Sequence, residues 1–290
     1  MIGPETLLAL AAICVGLFSG NVLNLILDNI EVEPDFNVQL LKRRCKYCRE
    51  TPSWRDTAPV QRWFRVGRPS RCCHSRIGPR RFLVELISGT LAVVLVFAPP
   101  SHRVVWDTAF HWQGAVACAF HQFFVLALLG CSVASIENDM QTPSEFTHGA
   151  LGAGLIGSLV VPGLAGTLHV PGLSRWTDSL LYALFGVLAG MAMPWVLRIA
   201  YMRLRREEGM SVPIIWLMGG AGAYLGGWDA SLALMLASSV ASVTLAGQVT
   251  LKSVWKGANW PKKVGLVPFL CGSSLVFLFF GDRIREVLFP

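Results

Sequence analysis

Charged residues are scarce in this chain. Asp, Glu, Lys and Arg make up 15% of its 290 residues, whereas a water-soluble domain carries about 25%. Hydrophobic residues reach 53%, and the mean hydropathy is +0.51. The shortage of charge argues against a soluble globular protein and indicates that lipid is the solvent for much of the chain.

Other features that the sequence lacks argue against a cleaved leader peptide and against a transporter. Residues 1–5 contain no Lys or Arg, and the apolar run behind them, 6–27, is longer than a signal-peptide core. It therefore predicts a retained membrane helix and not a cleaved leader. The sequence has no internal repeat and no broken hydrophobic segments at matching positions of two halves, which disfavours a transporter.

Long apolar segments account for most of the chain. A helix needs about 20 residues to cross the hydrocarbon core of a bilayer, and backbone groups in lipid must pair within their own segment. We therefore predict an all-α membrane protein with about eight transmembrane helices. The predicted segments are 6–27, 83–99, 113–136, 148–168, 179–197, 212–228, 230–250 and 264–281.

The distribution of Lys and Arg predicts the orientation. Thirteen lie between Asp28 and Leu83, and the connectors 198–211 and 251–263 hold four each. Four remain for the opposite side, so the positive-inside rule places the 28–83 loop in the cytosol. Topology thus explains the net charge of +7 without a nucleic acid partner. A site for lipid headgroups or an acidic partner is the alternative.

Small residues recur at a spacing that suits helix packing. Gly186 and Gly190 are four positions apart, and so are Gly222 and Gly226. Because glycine has no side chain, this spacing allows two helix backbones to approach closely in lipid. The pattern predicts tight helix crossings within the bundle.

The 28–83 loop contains a cysteine cluster. Cys45 and Cys48 form a CxxC pair, and a second group, Cys72, Cys73 and His74, follows after about 25 residues. A cytosolic location disfavours disulfides, and two such groups can supply four ligands to a structural zinc ion. Neighbouring residues rarely both reach one ion, so free reduced thiols are the alternative.

Five short motifs run in order along the chain. They are 20–24 (GNVLN), Cys45-x-x-Cys48, 54–63 (WRDTAPVQRW), 77–85 (IGPRRFLVE) and 265–270 (GLVPFL). In this order they resemble the G-S-F-L-N, CxxC, W-x-D-N-I-P-V-L-S-W, I-S-x-R-Y-P-x-V-E and F-G-P-F-L motifs of type 4 prepilin peptidases. No single motif would suffice, but the ordered set is specific.

The resemblance implies an aspartic endopeptidase of the bacterial inner membrane. The family removes a basic leader from prepilins and pseudopilins on the cytosolic side, and many members then methylate the new N-terminus with S-adenosylmethionine. It also implies that the cysteine loop is a zinc-bearing cytosolic domain. Aligned on Ile77, the family's second CxxC falls on Ser70 and Cys73, so Cys72 or His74 would have to replace one ligand.

The resemblance implies three regions. Residues 1–27 are the first membrane helix with the opening motif, 28–83 are the cytosolic loop, and 84–290 are a bundle that resembles the peptidase core. Peptide hydrolysis by this family needs two facing carboxylates, one ionised and one protonated.

The second of those carboxylates is missing. Residues 222–226 (GAYLG) resemble the family's G-A-W-L-G, and counting back places Ile214 on the aspartate of its G-x-G-D-x-K motif. Ser211 and Pro213 fall on the two glycines, and Trp216 falls on the lysine. Isoleucine cannot hold or pass a proton, and Pro213 removes a backbone donor.

The first carboxylate is displaced. The family's D-x6-I/L-P pattern, counted back from Pro143, falls on Ile136, and a one-residue deletion would bring Glu137 to that place. Glu137 or Asp139, paired with Glu207 or Glu208 of the next cytosolic connector, is therefore the tentative catalytic set. A solvated loop is the simpler interpretation.

Three functional hypotheses follow from the sequence. The first is a pseudoenzyme that binds prepilin-like helices or assembly partners. The second is an active peptidase with relocated carboxylates, and the third is a methyltransferase that uses S-adenosylmethionine. Glu85, a carboxylate inside a membrane segment, is a separate functional candidate, with pairing to Arg80 or Arg81 as the simpler explanation.

Overall fold

The computed structural model describes residues 4–30, 79–97, 112–137, 142–164, 166, 172, 174–206, 210–254 and 265–288. Within these ranges the chain forms eight α-helices and no strand. The chain divides into two compact units, Met1–Phe97 and Ala98–Pro290. The all-α prediction is confirmed for the described residues.

Among the described residues, the first unit contains two helices and the second contains six. The first unit holds α1 (Pro4–Ile30) and α2 (Arg80–Phe97). The second holds α3 (Trp112–Glu137), α4 (Ser144–Val160), α5 (Arg175–Arg205), α6 (Val212–Leu225), α7 (Gly227–Val254) and α8 (Val267–Leu288).

Five of the described helices are long and apolar enough to cross a membrane, namely α1, α3, α5, α7 and α8. The others are shorter: α2 has 18 residues, α4 has 17 and α6 has 14. A multi-pass membrane protein is therefore confirmed, whereas the number of eight spans stays a prediction. The fourth predicted segment ends early: its helix stops at Val160 and its C-cap is Val161. Pro162 comes next, and proline cannot continue the hydrogen-bond ladder.

In the first unit, α1 and α2 pack along a seam of small and polar residues. A Cβ added to Gly16 would lie 2.6 Å from the Cα of Gly89. The Ser88 hydroxyl donates to the Gly16 carbonyl at 2.8 Å, and the Asn24 amide donates to the Arg81 carbonyl at 3.0 Å. These bonds satisfy polar groups that would be costly to leave exposed to lipid.

The C-terminal end of α1 carries an ion-pair cluster. Asp28 pairs with both Arg80 and Arg81 at the start of α2. The sequence analysis gave the same two arginines as possible ion-pair partners of Glu85. The Glu85 side chain is fully buried one turn further along α2. Arg80 and Arg81 therefore have a structural role, because they join the two helices at this end.

In the second unit, α6 is the central helix, and residues 214–225 are buried except for Trp216, which is partly exposed. It packs closely against two glycines of α5. A Cβ added to Gly186 would lie 2.1 Å from the Gly222 carbonyl oxygen, and a Cβ added to Gly190 would lie 2.3 Å from the Met218 carbonyl oxygen. These contacts confirm the predicted close crossing and make the two helices antiparallel.

Aromatic contacts join α6 to α3. The Tyr224 ring is fully buried and stacks on Phe124, with ring centroids 4.3 Å apart. Its hydroxyl donates to the Phe120 carbonyl at 3.2 Å. The buried tyrosine thus has a partner for its polar end, as a buried hydroxyl requires.

The junction between α6 and α7 is a single residue, Gly226, with φ of +82°. Its backbone N–H bonds to the Gly222 carbonyl at 2.8 Å. A positive φ of this kind favours glycine over side-chain-bearing residues. The predicted apolar segment 212–228 therefore breaks here, and Asp229 falls in the first turn of α7.

Candidate functional site

Ile214, which the alignment places on the second catalytic aspartate, lies in the first turn of α6. The turn begins at Ser211 and contains Pro213 near its start. The Ile214 side chain is only 8% exposed. Continuing the antiparallel register of the glycine contacts by one turn places Pro194 of α5, itself buried, at the level of Ile214. The position is thus largely closed to solvent.

Trp216, at the position of the family's lysine, is part of an aromatic pair. Its ring system contacts His148 of α4 in an edge arrangement, with ring centroids 5.1 Å apart. His148 is exposed and Trp216 is partly exposed. The place of an ammonium group is therefore taken by an indole that faces a neighbouring helix.

The first tentative carboxylate, Glu137, is the last residue of α3 and its side chain is exposed. The other members of the tentative set, Asp139, Glu207 and Glu208, lie outside the described residues. Glu145, in the first turn of α4, is partly exposed. Three of the four tentative carboxylates lie outside the described residues, so the carboxylate pair that an aspartic mechanism needs stays a prediction.

Two described carboxylates of the second unit are buried, but both lie away from Ile214. Asp178 is in the first turn of α5 and Asp229 in the first turn of α7. Between Ile214 and Leu225 the helix α6 rises about 16 Å, at about 1.5 Å per residue. Asp229 follows beyond that end, so it lies too far away to share a water molecule with a group at position 214.

Asp229 belongs to a separate ion cluster. The side chain is 1% exposed, and the Arg285 Nε of α8 lies 3.6 Å from its carboxylate. Arg285 also pairs with Asp282, and a Cβ added to Gly281 would lie 3.1 Å from the Asp229 oxygen. Asp229 thus takes part in an ion pair between α7 and α8, which suits a structural role.

The proposed metal ligands lie outside the described residues: Cys45, Cys48, Cys72, Cys73 and His74. Within the described ranges no group of three or more His, Cys, Asp or Glu side chains is placed to hold a metal ion. The cysteines described there, Cys14, Cys118, Cys131 and Cys271, are in no disulfide. Zinc therefore stays a prediction of the loop sequence.

Sequence reasoning missed the contact between His148 and Trp216 and the cluster around Arg285. His148 and Trp216 are 68 positions apart, and Asp229 and Arg285 are 56 apart, so no local spacing pattern connects the two residues of either pair.

Sequence comparisons place the chain among known proteins. A family model described as the bacterial peptidase A24 N-terminal domain matches residues 12–98. A prepilin leader peptidase/N-methyltransferase of Burkholderia pseudomallei is 29% identical over 85% of this chain and 69% of its own length. Proteins of the same name from Aeromonas hydrophila and Klebsiella pneumoniae are 26% and 25% identical, over 88% and 78% of this chain and 77% and 89% of their own lengths. No solved structure matches.

Proposed function

The chain belongs to the type 4 prepilin peptidase family, and we propose that it is a member without aspartic peptidase activity that acts by binding membrane helices. The observation that carries the proposal is the buried aliphatic side chain of Ile214 in the first turn of α6. A side chain without a titratable group can neither activate water nor polarise the scissile carbonyl.

The neighbouring positions support the same conclusion. Pro213 and Trp216 stand where the family's glycine and lysine are expected, and Trp216 is engaged with His148. The change therefore extends beyond one acid to the local backbone and to the adjacent cation. A single reversion would not recreate the family's motif.

An active peptidase with relocated carboxylates is the second candidate. The one observation in its favour is that Glu137 is exposed at the end of α3, where a water molecule could reach it. An aspartic mechanism needs a second carboxylate close to the first, so that the two pKa values separate. We favour the non-peptidase function because Ile214 stands at the position of one of the two acids.

Methyl transfer, the third hypothesis, would need S-adenosylmethionine. We propose that the protein lies in the bacterial inner membrane with its 28–83 loop in the cytosol, on the basis of the Lys and Arg distribution and the positive-inside rule. Prepilin or pseudopilin leader helices are the proposed partner class.

The loop is proposed to hold one structural zinc ion through Cys45, Cys48, Cys73 and either Cys72 or His74. We expect the purified protein to contain about one equivalent of zinc, since four ligands complete a tetrahedral site. Cys45→Ser should lower the bound zinc strongly, whereas Cys14→Ser, on α1, should leave it unchanged. Plasma mass spectrometry of the detergent-purified proteins measures this, and a zinc-free wild type would refute the site.

The proposed function is tested by retention of an uncleaved precursor. The tagged chain is expressed with a prepilin that an active relative processes, and is then purified in mild detergent. We expect the prepilin to copurify at full length, because it is bound and not cut. Recovery of a shortened precursor would support the relocated-carboxylate alternative, and failure to recover any precursor would refute the binding function.

A further inference from the structure

Two cysteines lie close together in the buried interface between α3 and α8. The side chain of Cys131, on α3, is 0% exposed, and that of Cys271, on α8, is 2% exposed. The two helices pack against each other, and the thiols are near enough for the charge of one to act on the other. Neither cysteine is in a disulfide. The fold thus brings together two thiols from distant parts of the chain.

Both thiols lie near the same end of the bundle. Cys131 is six residues before Glu137, the last residue of α3, and Cys271 is four residues after Val267, the first residue of α8. At about 1.5 Å per residue, each thiol is within about 10 Å of a helix end. In the proposed orientation this is the cytosolic end, and the cytosol keeps thiols reduced.

A buried serine accompanies each cysteine. Ser135 follows Cys131 by four positions, and Ser274 follows Cys271 by three. Residues at these spacings share a helix face, so each hydroxyl lies on the same side of its helix as the thiol. The Ser135 side chain is 4% exposed and that of Ser274 is 0% exposed. The α3–α8 interface therefore contains two thiols and two hydroxyls.

The two serine hydroxyls do not make the usual bond of a helical serine. Such a hydroxyl can donate to the backbone carbonyl four residues earlier. Several serines of the described helices do so, namely Ser158, Ser231, Ser238 and Ser242. The Ser135 and Ser274 hydroxyls have no hydrogen-bond partner among the described residues. Because an unmade bond at a buried hydroxyl is costly, both favour a further acceptor in the interface.

The chemistry of the pair favours a soft metal ion. Thiolates bind Cu(I) and zinc in preference to hard cations. Zinc in structural sites takes four ligands, and within the described ranges no group of three or more His, Cys, Asp or Glu side chains is placed to hold an ion. Cu(I) is satisfied by two thiolates in a linear arrangement. Two thiols without a third ligand therefore fit Cu(I) better than zinc.

The charge balance gives the hydroxyls a role. When Cu(I) binds, two S–H bonds break, two S–Cu bonds form, and two protons leave to water. The copper keeps its oxidation state, so no oxidant or reductant is needed. The resulting bis-thiolate complex carries one negative charge, and a buried charge must be hydrogen-bonded to be tolerated. A hydroxyl on the face of each cysteine can donate to the sulfur atoms.

We propose that Cys131 and Cys271 form a binding site for one Cu(I) ion between α3 and α8, with Ser135 and Ser274 as hydrogen-bond donors to the two sulfur atoms. The bound ion joins the two helices near their cytosolic ends. This site is separate from the proposed zinc site of the 28–83 loop, and it does not depend on the proposed helix-binding function.

The experiment counts copper on the full chain in mild detergent. The protein is purified with its loop zinc, reduced, and loaded without oxygen with Cu(I) from a competing chelator, and plasma mass spectrometry measures both metals. We expect Cys131→Ala and Cys271→Ala each to bind about one equivalent of copper less than wild type, because the site needs both soft ligands. Cys14→Ser removes a thiol from α1 and should bind as much copper as wild type.

A second pair of variants tests the hydroxyl donors. Ser135→Ala should weaken Cu(I) binding about tenfold to hundredfold, as is typical when a partner of a metal ligand is removed, and should leave the zinc content unchanged. Ser238→Ala is the matched control, because the Ser238 hydroxyl donates to the Leu234 carbonyl at 2.8 Å on α7. It should not change the affinity. Competition with the chelator gives the affinity, and size-exclusion chromatography with thermal unfolding shows that each variant is folded.

The outcomes distinguish the metal site from its parts. If either folded alanine variant of the two cysteines keeps the copper content of wild type, the site is wrong and other cysteines bind the metal. An equal loss of copper in Cys14→Ser would show binding to thiols in general and would also overturn the site. If the cysteine variants lose copper but Ser135→Ala behaves like Ser238→Ala, the metal site is supported and the role of the hydroxyl is wrong.

Discussion

Gly222→Leu is expected to prevent the protein from accumulating in the membrane as a folded bundle. A Cβ at position 222 would lie 2.0 Å from the Gly186 carbonyl oxygen and 2.6 Å from its carbonyl carbon. Both are backbone atoms of a long helix, so no side chain can rotate away to relieve the clash. We expect a loss of more than about 4 kcal/mol, in the range that is exceptional for a single substitution.

A matched glycine provides the control. Gly272, on α8, is exposed, and an added Cβ there would meet nothing within 4 Å. Gly272→Leu should therefore accumulate like wild type. Membrane yield and thermal unfolding in detergent, followed by size-exclusion chromatography, measure the difference. Equal stability of the two variants would contradict the close crossing of α5 and α6.

Ile214→Asp is expected to give no prepilin cleavage and a less stable protein. The new carboxylate would lie at a position that is 8% exposed, at the level of the buried Pro194 of α5. Burying such a group costs about 1–3 kcal/mol in proteins, even when it becomes protonated. Activity should not appear, because one carboxylate does not make an aspartic pair.

The control for this variant lies two positions earlier on the same helix. Val212 is 42% exposed at the start of α6, where the partial positive charge of the helix N-terminus favours an acid. Val212→Asp should therefore leave the melting temperature almost unchanged. If Ile214→Asp alone restored cleavage, the second carboxylate would already be in place, and the account of a dismantled site would be wrong.

The helical content and the tight crossing followed from the sequence, since both depend on local patterns. Apolar length predicted the helices, and the spacing of Gly186 and Gly190 predicted the approach of α5 to α6. The end of α4 was misplaced by several residues, because hydropathy continues through 161–165 although Pro162 follows its last turn. The break at Gly226 was also missed, because a backbone angle leaves no trace in hydropathy.

Only one part of the candidate site could be predicted from the sequence, namely the position of Ile214, because it follows from the aligned motif. Counting from 222–226 placed Ile214 in the first turn of a membrane helix, and the structure has it there. The contact of Trp216 with His148 joins residues 68 positions apart in the chain. Such a pair depends on how α4 packs against α6, and helix packing in lipid is set by the whole surface and not by a local motif.

Leader release from a prepilin by the purified wild-type protein in vesicles tests the central claim most directly. Intact-mass spectrometry of the precursor, with the Aeromonas hydrophila relative as the active control, measures it. The loss of the acid at position 214 predicts an unchanged precursor mass after prolonged incubation. A precursor shortened by its leader would show that carboxylates elsewhere in this chain activate water, and would contradict the account.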